Sequence, residues 1–409
     1  MLDLSPALAR RIIDQVGGPG QPPQYGFQYF TVDVDPYLSV IHNEYLASLV
    51  KDGSSAFKLV VGIYGGGKTH FLYCLRDVAW KENFVTAIVS LDSNSTPFSK
   101  LELVYRKIIE NIVPPLSPEE LLSPSPYEHG IEAFIRRWYM EKVNYHVRRG
   151  LSPDKVENEI LKEIEQIRGI ESISFLKAFR AVVRALINRN EDDLSTICQW
   201  LKVEGFTSDH KKFGILQKID KTTAFEMIRS LNQLIRQLGY SGMMIAFDEA
   251  EQQGSMSTKE RGALLDNLRQ VIDECTKNTF QGVMVFYAIP DDNFLQGKTM
   301  QYEALRQRVD SVFSEFNPTG VTISLEKIIT ERIPFMIDVG NKLAVVYQAA
   351  FGTIGDPDSI KTIILETANL AESQRFGDIG YKRLFVQKLV AGLNLLRGKK
   401  STTTTSDIL

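Results

Sequence analysis

The segment Gly62-Ile63-Tyr64-Gly65-Gly66-Gly67-Lys68-Thr69 follows the pattern G-x-x-x-x-G-K-[ST]. Glycines let a chain turn tightly enough for several backbone N–H groups to converge on one anion. A helix starting directly behind the turn adds its positive end. In such a loop Lys68 is placed to reach the β- and γ-phosphates of a nucleotide, and Thr69 offers a hydroxyl to a magnesium ion. Gly62, Gly65, Gly66, Gly67, Lys68 and Thr69 are therefore the expected phosphate-binding residues, with ATP and Mg2+ as the expected ligands. The alternative is a glycine-rich structural turn. Context speaks against it, because an apolar run over 58–63 leads into the loop and helical spacing over 70–80 leads out.

A second cluster of acid chemistry stands at Met243-Met244-Ile245-Ala246-Phe247-Asp248-Glu249. An apolar strand ending in two carboxylates has the form of a Walker B element. Asp248 would hold the magnesium ion and Glu249 would orient or deprotonate the attacking water. Two acids at a buried strand end are costly unless a cation or protons sit there. The bland reading is a helix N-terminus, where acids are favoured by the dipole. Glu251 reads as a first-turn helix acid. Asp248-Glu249-Ala250-Glu251 resembles a DExx helicase box, but the other helicase motifs and a second related lobe are missing from the sequence.

Two weaker signals lie further on. The run Tyr287-Ala288-Ile289-Pro290-Asp291 ends in an acid at the place where additional-strand ATPases carry a γ-phosphate sensor, so Asp291 is the sensor candidate against a plain loop acid. Arg306 and Arg308 follow in Leu305-Arg306-Gln307-Arg308-Val309. Either arginine would neutralise phosphate charge in its own or a neighbouring subunit, which would require a homo-oligomer. The alternative is a solvated helix face. Between Arg136 and Arg149, the residues Arg136, Arg137, Trp138, Tyr139, Lys142, Tyr145, His146, Arg148 and Arg149 mix positive charge with aromatics. That mixture suits nucleic acid, DNA included. It equally suits an amphipathic helix with buried rings and wet charges, and the acidic run over 157–165 would neutralise it.

These groups need a scaffold. Apolar runs predict strands over 58–63, 84–91, 243–247, 283–288 and 321–325, separated by helical patterns over 70–80, 101–112 and 262–277. Such alternation predicts an α/β fold, a P-loop NTPase core with a parallel sheet. Residues 1–35 read as an N-terminal helix, opened by Ser5-Pro6, and a linker. The core spans 36–330, with a helix at 37–50, and carries a large helical insertion at about 115–240. A C-terminal helical, lid-like domain follows over 331–400, then a polar tail over 401–409 that reads as disordered. The chain has 409 residues, 44% hydrophobic and 24% charged, with a net charge of -3. It is no polycation, so any nucleic-acid contact must be local or made through a partner. Cys74, Cys198 and Cys275 fit no metal spacing and read as buried thiols in a reducing compartment. There is no signal-peptide pattern and no apolar run of the roughly 20 residues that span a bilayer, so a cytoplasmic protein without membrane contact is expected.

The run Tyr64-Gly65-Gly66-Gly67-Lys68-Thr69-His70-Phe71-Leu72, with its helix to Ala79, is similar to the ATP-binding P-loop proteins of the BREX phage-exclusion system. Ala9-Arg10-Arg11-Ile12-Ile13 before a Gly/Pro loop, Ala87-Ile88-Val89-Ser90-Leu91 with Tyr105 behind it, and Lys382-Arg383-Leu384-Phe385-Val386-Gln387-Lys388 fit the same family. The resemblance touches both ends and the nucleotide core, and is thin between about 115 and 235. It implies an AAA-like or signalling-type ATPase working beside other proteins of a defence assembly. It adds His70 to the nucleotide site and gives Arg383 the part of a lid arginine that senses nucleotide. One segment departs: Val32-Asp33-Val34-Asp35 stands where related ATPases often carry Gly-Arg-Glu, so no adenine contact is expected there. Two rivals remain, a nucleotide-dependent binding or signalling module with little hydrolysis and a small-molecule kinase. Glu249 speaks against the first, and the long insertion against the second.

Overall fold

The computed structural model describes residues 4–399 except 93–94, 124–126, 250–255, 296, 298, 330 and 376–379. Ala250, Glu251 and the 401–409 tail thus lie outside the described residues. A six-stranded sheet forms the centre: β1 (Ala56–Val61), β2 (Phe84–Ser90), β3 (Ile112–Val113), β4 (Gly242–Asp248), β5 (Val283–Ile289) and β6 (Thr322–Ser324). The spatial order is β3-β2-β4-β5-β1-β6. All neighbours run parallel except the short edge strand β3, which pairs antiparallel with β2 through Thr86↔Val113 and Ala87↔Ile112. The sequence pattern gives Ile112 to the preceding helix. That helix stops at Asn111, and the next two residues turn to cover the sheet edge instead.

The central strands are buried along their whole length, as expected of a parallel sheet covered on both faces. Their side chains alternate. Phe57, Leu59, Val85, Ile245, Val285 and Tyr287 face one core, packed by the helices Leu101–Asn111, Ala224–Gln237 and Thr258–Thr276. Val60, Phe84, Met244, Met284 and Phe286 face the other, packed by the helix Lys68–Lys81 and by residues 41–50. The helix expected over 37–50 is α-helical only over Asp35–Val40, and winds as a π-helix over Ile41–Leu49. The insertion between β2 and β4 is helical, with Ile131–Arg148, Pro153–Gln166, Ile173–Ile187 and Glu191–Leu201 its longer members. Its lead-in, expected as loop, contains the short helix Pro118–Leu122. Ser117 and Glu120 form a capping box there.

A third core belongs to the helices Arg332–Phe351, Pro357–Ser373 and Tyr381–Lys399. The N-terminal helix Pro6–Gly17 joins it through Leu8, Ile12, Ile13 and Val16. The two ends of the chain therefore share one apolar cluster.

Lys58 on β1 is 2% exposed and has no carboxylate partner among the described residues. Its Nζ donates to Tyr45 Oη at 2.7 Å and to the carbonyl oxygens of Pro318 at 3.0 Å and Gly320 at 2.5 Å. Burial pushes its pKa down to about 7. Between about pH 7 and pH 10.5 the unfolded chain then holds a proton that the folded chain has released. Stability therefore rises with pH across that window. Lys58→Met should flatten the rise, read as denaturation midpoints near both ends of the window. An equal rise in parent and variant would assign it to other groups.

Candidate functional site

β1 runs into Gly62, and the chain then turns over 63–67 into the helix that starts at Lys68. The Gly66 N–H donates to the Ile63 carbonyl at 2.9 Å. A Cβ on Gly66 would stand 2.8 Å from that same carbonyl oxygen, so the turn admits no side chain there. Lys68 is 6% exposed. Its ammonium donates to the carbonyl oxygens of Gly62 at 2.9 Å and Ile63 at 3.3 Å, which folds the side chain back along the loop.

β5 separates β1 from β4, so the acidic pair approaches the loop across an intervening strand. Asp248 ends β4 and is 4% exposed. Its Oδ2 accepts the Thr69 hydroxyl at 2.6 Å, and its Oδ1 accepts the Glu249 N–H at 2.9 Å. Glu249 has φ +59°, a left-handed conformation that costs a non-glycine residue about 1 kcal/mol or more. Such strain persists where the surroundings over-determine it, and it clusters at functional sites. Residues 179 positions apart are thus brought into direct contact. Thr69 and Asp248 together offer hard oxygen donors of the kind magnesium takes.

One cavity holds the glycine loop, Lys68, Thr69, His70, Asp248 and Glu249. Its far wall is apolar, with Phe30, Val32, Val34, Ile328, Phe335 and Met336. The segment from which no base contact is expected thus lines the cavity through Val32 and Val34. Those residues present methyl groups, and that explains the lack of a polar signal in the sequence.

His70 is no phosphate cation. The Thr31 hydroxyl donates to the Phe27 carbonyl at 2.8 Å, which leaves the His70 Nε2–H to donate to Thr31 Oγ1 at 2.8 Å. Burial, reinforced by the Lys382 charge, pushes its pKa down to about 4, so the ring is neutral at pH 7. It lines the cavity and ties the loop helix to the 27–34 wall.

The C-terminal helix Tyr381–Lys399 reaches the loop from the far end of the chain. Lys382 Nζ donates to the Gly66 carbonyl at 2.6 Å and lies 3.7 Å from Glu326. Burial lowers its pKa to about 8, with Glu326 opposing. Arg383 lies 4.7 Å above the Tyr64 ring and donates to Tyr64 Oη at 2.8 Å. Gly380, at φ +74°, makes this approach: a Cβ there would stand 2.0 Å from the Tyr64 carbonyl oxygen. Gly380 and Thr31 carry no signal in the sequence, and Lys382 stands there only as part of the family-like run 382–388, without a role at the site. The only prior hint was the basic pair at 382–383.

Other expected residues fall elsewhere. Asp291 is exposed, and its Oδ1 accepts the Phe294 N–H at 3.1 Å, a turn-capping contact. Arg308 is bound to Asp273 at 2.8 Å, and Arg306 is exposed on the same helix, Met300–Val309. None of the three lines the cavity. The basic-aromatic stretch is the helix Ile131–Arg148 with Trp138 and His146 buried. Arg136 pairs with Glu132 and Glu191, Arg137 with Glu120 and Glu141, and Lys142 with Glu163. Its positive charge is largely neutralised by carboxylates, which leaves the amphipathic-helix reading in place. The three cysteines are free and buried. No described helix is long and apolar enough to cross a membrane.

The family model for the BREX system ATP-binding proteins BrxC/D matches residues 4–408. No curated protein and no solved structure matches the chain.

Proposed function

The chain belongs to this family of BREX ATP-binding proteins, and from that premise we propose that it is a P-loop ATPase that hydrolyses ATP in the glycine-loop cavity. The observation that carries the proposal is the Thr69–Asp248 contact at 2.6 Å, with Glu249 next in the chain. It joins the phosphate loop to the acidic pair, which a mere anion-binding turn has no need of. The strand order β2-β4-β5-β1-β6 supports an additional-strand core, because β5 intervenes between the loop strand and the acidic strand.

In this reading the loop amides and the Lys68 ammonium bind the β- and γ-phosphates. Thr69 and Asp248 would hold Mg2+, which when bound neutralises phosphate charge. Glu249 orients the attacking water and takes its proton. The apolar wall at Phe30, Val32, Val34 and Phe335 receives the base. Lys382 and Arg383 tie the C-terminal helices to the loop, so a change at the γ-phosphate is felt by the helical domain. That domain is the part of the chain suited to pass the signal to other proteins of the defence assembly. An arginine supplied by a neighbouring copy would complete the site. Arg306 is the accessible choice, because Arg308 is held by Asp273.

The test is ATP turnover by the purified full-length chain, with and without magnesium and DNA, over a range of protein concentrations. Magnesium-dependent turnover is expected, rising per molecule with concentration if a neighbour completes the site. DNA stimulation would place the assembly's work on nucleic acid. Tight ATP binding with no turnover under any condition would instead establish the binding-module reading.

A further inference from the structure

A second cavity, of about 630 Å³, is lined in part by the same two segments that line the nucleotide cavity. Gly20, Gln21 and Pro22 line the first cavity, and Pro23, Gln24 and Tyr25 line the second. The helix Lys68–Lys81 divides in the same way: Lys68, Thr69 and His70 face the first, while Tyr73, Arg76 and Trp80 face the second. Thr86, Ile88 and Ser90, on one face of β2, contribute another wall, and Arg11 and Tyr127 also line it. Its size falls within the range of small-molecule sites.

The lining is rich in donors. Among the described residues no carboxylate lines this cavity, whereas two guanidinium groups do. Arg76 is 4% exposed. Its Nη2 donates to the Gln24 carbonyl at 2.5 Å and to Asp77 at 2.9 Å, and its guanidinium lies 4.4 Å from the Trp80 ring. Its Nη1 makes no hydrogen bond among the described residues. Trp80 Nε1–H donates to Thr86 Oγ1 at 2.9 Å, which frees the Thr86 hydroxyl proton for another acceptor. Arg11 is exposed, and among the described residues its one hydrogen bond is from Nη1 to the Leu122 carbonyl. Arginine presents planar N–H donors that fit phosphate oxygens. Asp77 holds Arg76 through Nε and Nη2, which leaves its Nη1 and the exposed Arg11 to meet a phosphate. The Tyr73, Trp80 and Tyr127 rings give the lining aromatic surface for a planar group.

We propose that this second cavity binds a small phosphomonoester carrying a planar ring, a ligand of the nucleoside monophosphate class, and that its occupancy is coupled to the nucleotide cavity. The coupling runs through the shared segments. Burial raises the Tyr73 phenol above its usual range and Arg76 opposes the rise. Tyr127, Asp248 and Glu249 add to it, which places that ring within electrostatic reach of the first cavity's acids.

The site is tested with the full chain carrying Lys68→Ala, so that a failure of the ATPase reading is separate from a failure of this one. Adenosine monophosphate is titrated and tryptophan fluorescence followed, with inorganic phosphate as competitor. A saturable change is expected, lost in Trp80→Phe. Arg11→Ala should weaken binding about tenfold. Arg76→Gln should weaken it further, but Arg11 is exposed and its variant decides the matter if the buried substitution unfolds the chain. Phosphate should compete more weakly than the monophosphate. In the parent, bound monophosphate should shift ATP affinity, and ATP should shift monophosphate affinity by the same factor. No saturable binding below about 1 mM, or affinity unchanged by Arg11→Ala, would overturn the site. Equal affinity for phosphate alone would remove the ring from the proposal. ATP affinity indifferent to the monophosphate would remove the coupling.

Discussion

Lys68→Ala should reduce ATP turnover by about 10³-fold or more and weaken ATP binding at least tenfold. The lysine is almost fully buried, so its charge acts where water screens little. Nothing nearby replaces it at the same point. Lys382 is held by the Gly66 carbonyl, and Arg383 is engaged with the Tyr64 ring. The fold should survive, because the two loop carbonyls that accept from the Lys68 ammonium can be satisfied by water instead. The sharpest measurement is therefore ligand-induced stabilisation. ATP at about a hundred times its dissociation constant should stabilise the parent by about 2.7 kcal/mol, and the same concentration should barely move the variant. Unchanged affinity and turnover would remove the phosphate loop from the mechanism.

The parts of this site that the sequence makes legible are those built from contiguous residues. The glycine turn, the helix behind it and the apolar strand ending in Asp248-Glu249 each carry their signal within about ten positions. The sheet was legible for the same reason, since its central strands are mostly apolar runs, interrupted in β1 by Lys58 and in β2 by Thr86. The two-residue strand β3 and the π-helical winding over Ile41–Leu49 were not, because two residues and about two turns are too short for a period to show. The contacts around the loop are a different matter. Lys382 meets Gly66 across 316 positions, and Lys342 reaches the Thr31 carbonyl across 311. Such pairs leave no local pattern; they exist because the two chain ends share a core. The charged stretch 136–149 shows the converse failure. Its composition is that of a nucleic-acid surface, yet its neutralising partners Glu120, Glu163 and Glu191 come from three other segments.

The shared core also gives the nucleotide site a mechanical consequence. Helix Pro6–Gly17 packs on Arg332–Phe351 and Tyr381–Lys399, and the loop leaving it supplies Gly20, Gln21 and Pro22 to the cavity. Both walls that close over the loop therefore belong to one helical body. If ATP binding draws in either wall, the other should follow, because packed cores shift as units.

Glu249→Gln should separate binding from chemistry. Gln has nearly the shape of Glu, and the backbone N–H that holds Asp248 is unchanged, so the left-handed conformation at φ +59° persists. Asp248 and Thr69 keep their contact, so ATP affinity should stay within about threefold of the parent. The amide, however, accepts no proton at neutral pH. The attacking water then loses its base, and turnover should fall by about 10²- to 10⁴-fold. Asp248→Asn provides the contrast, since it weakens the oxygen site beside Thr69 and should lower magnesium-dependent binding together with turnover. Single-turnover measurements on pre-bound ATP distinguish the two, because they report chemistry without the binding step. Glu249→Gln should hold ATP intact for long periods. Turnover within about twofold of the parent would leave Glu249 a structural role at the strained strand end and return the chemistry to another group.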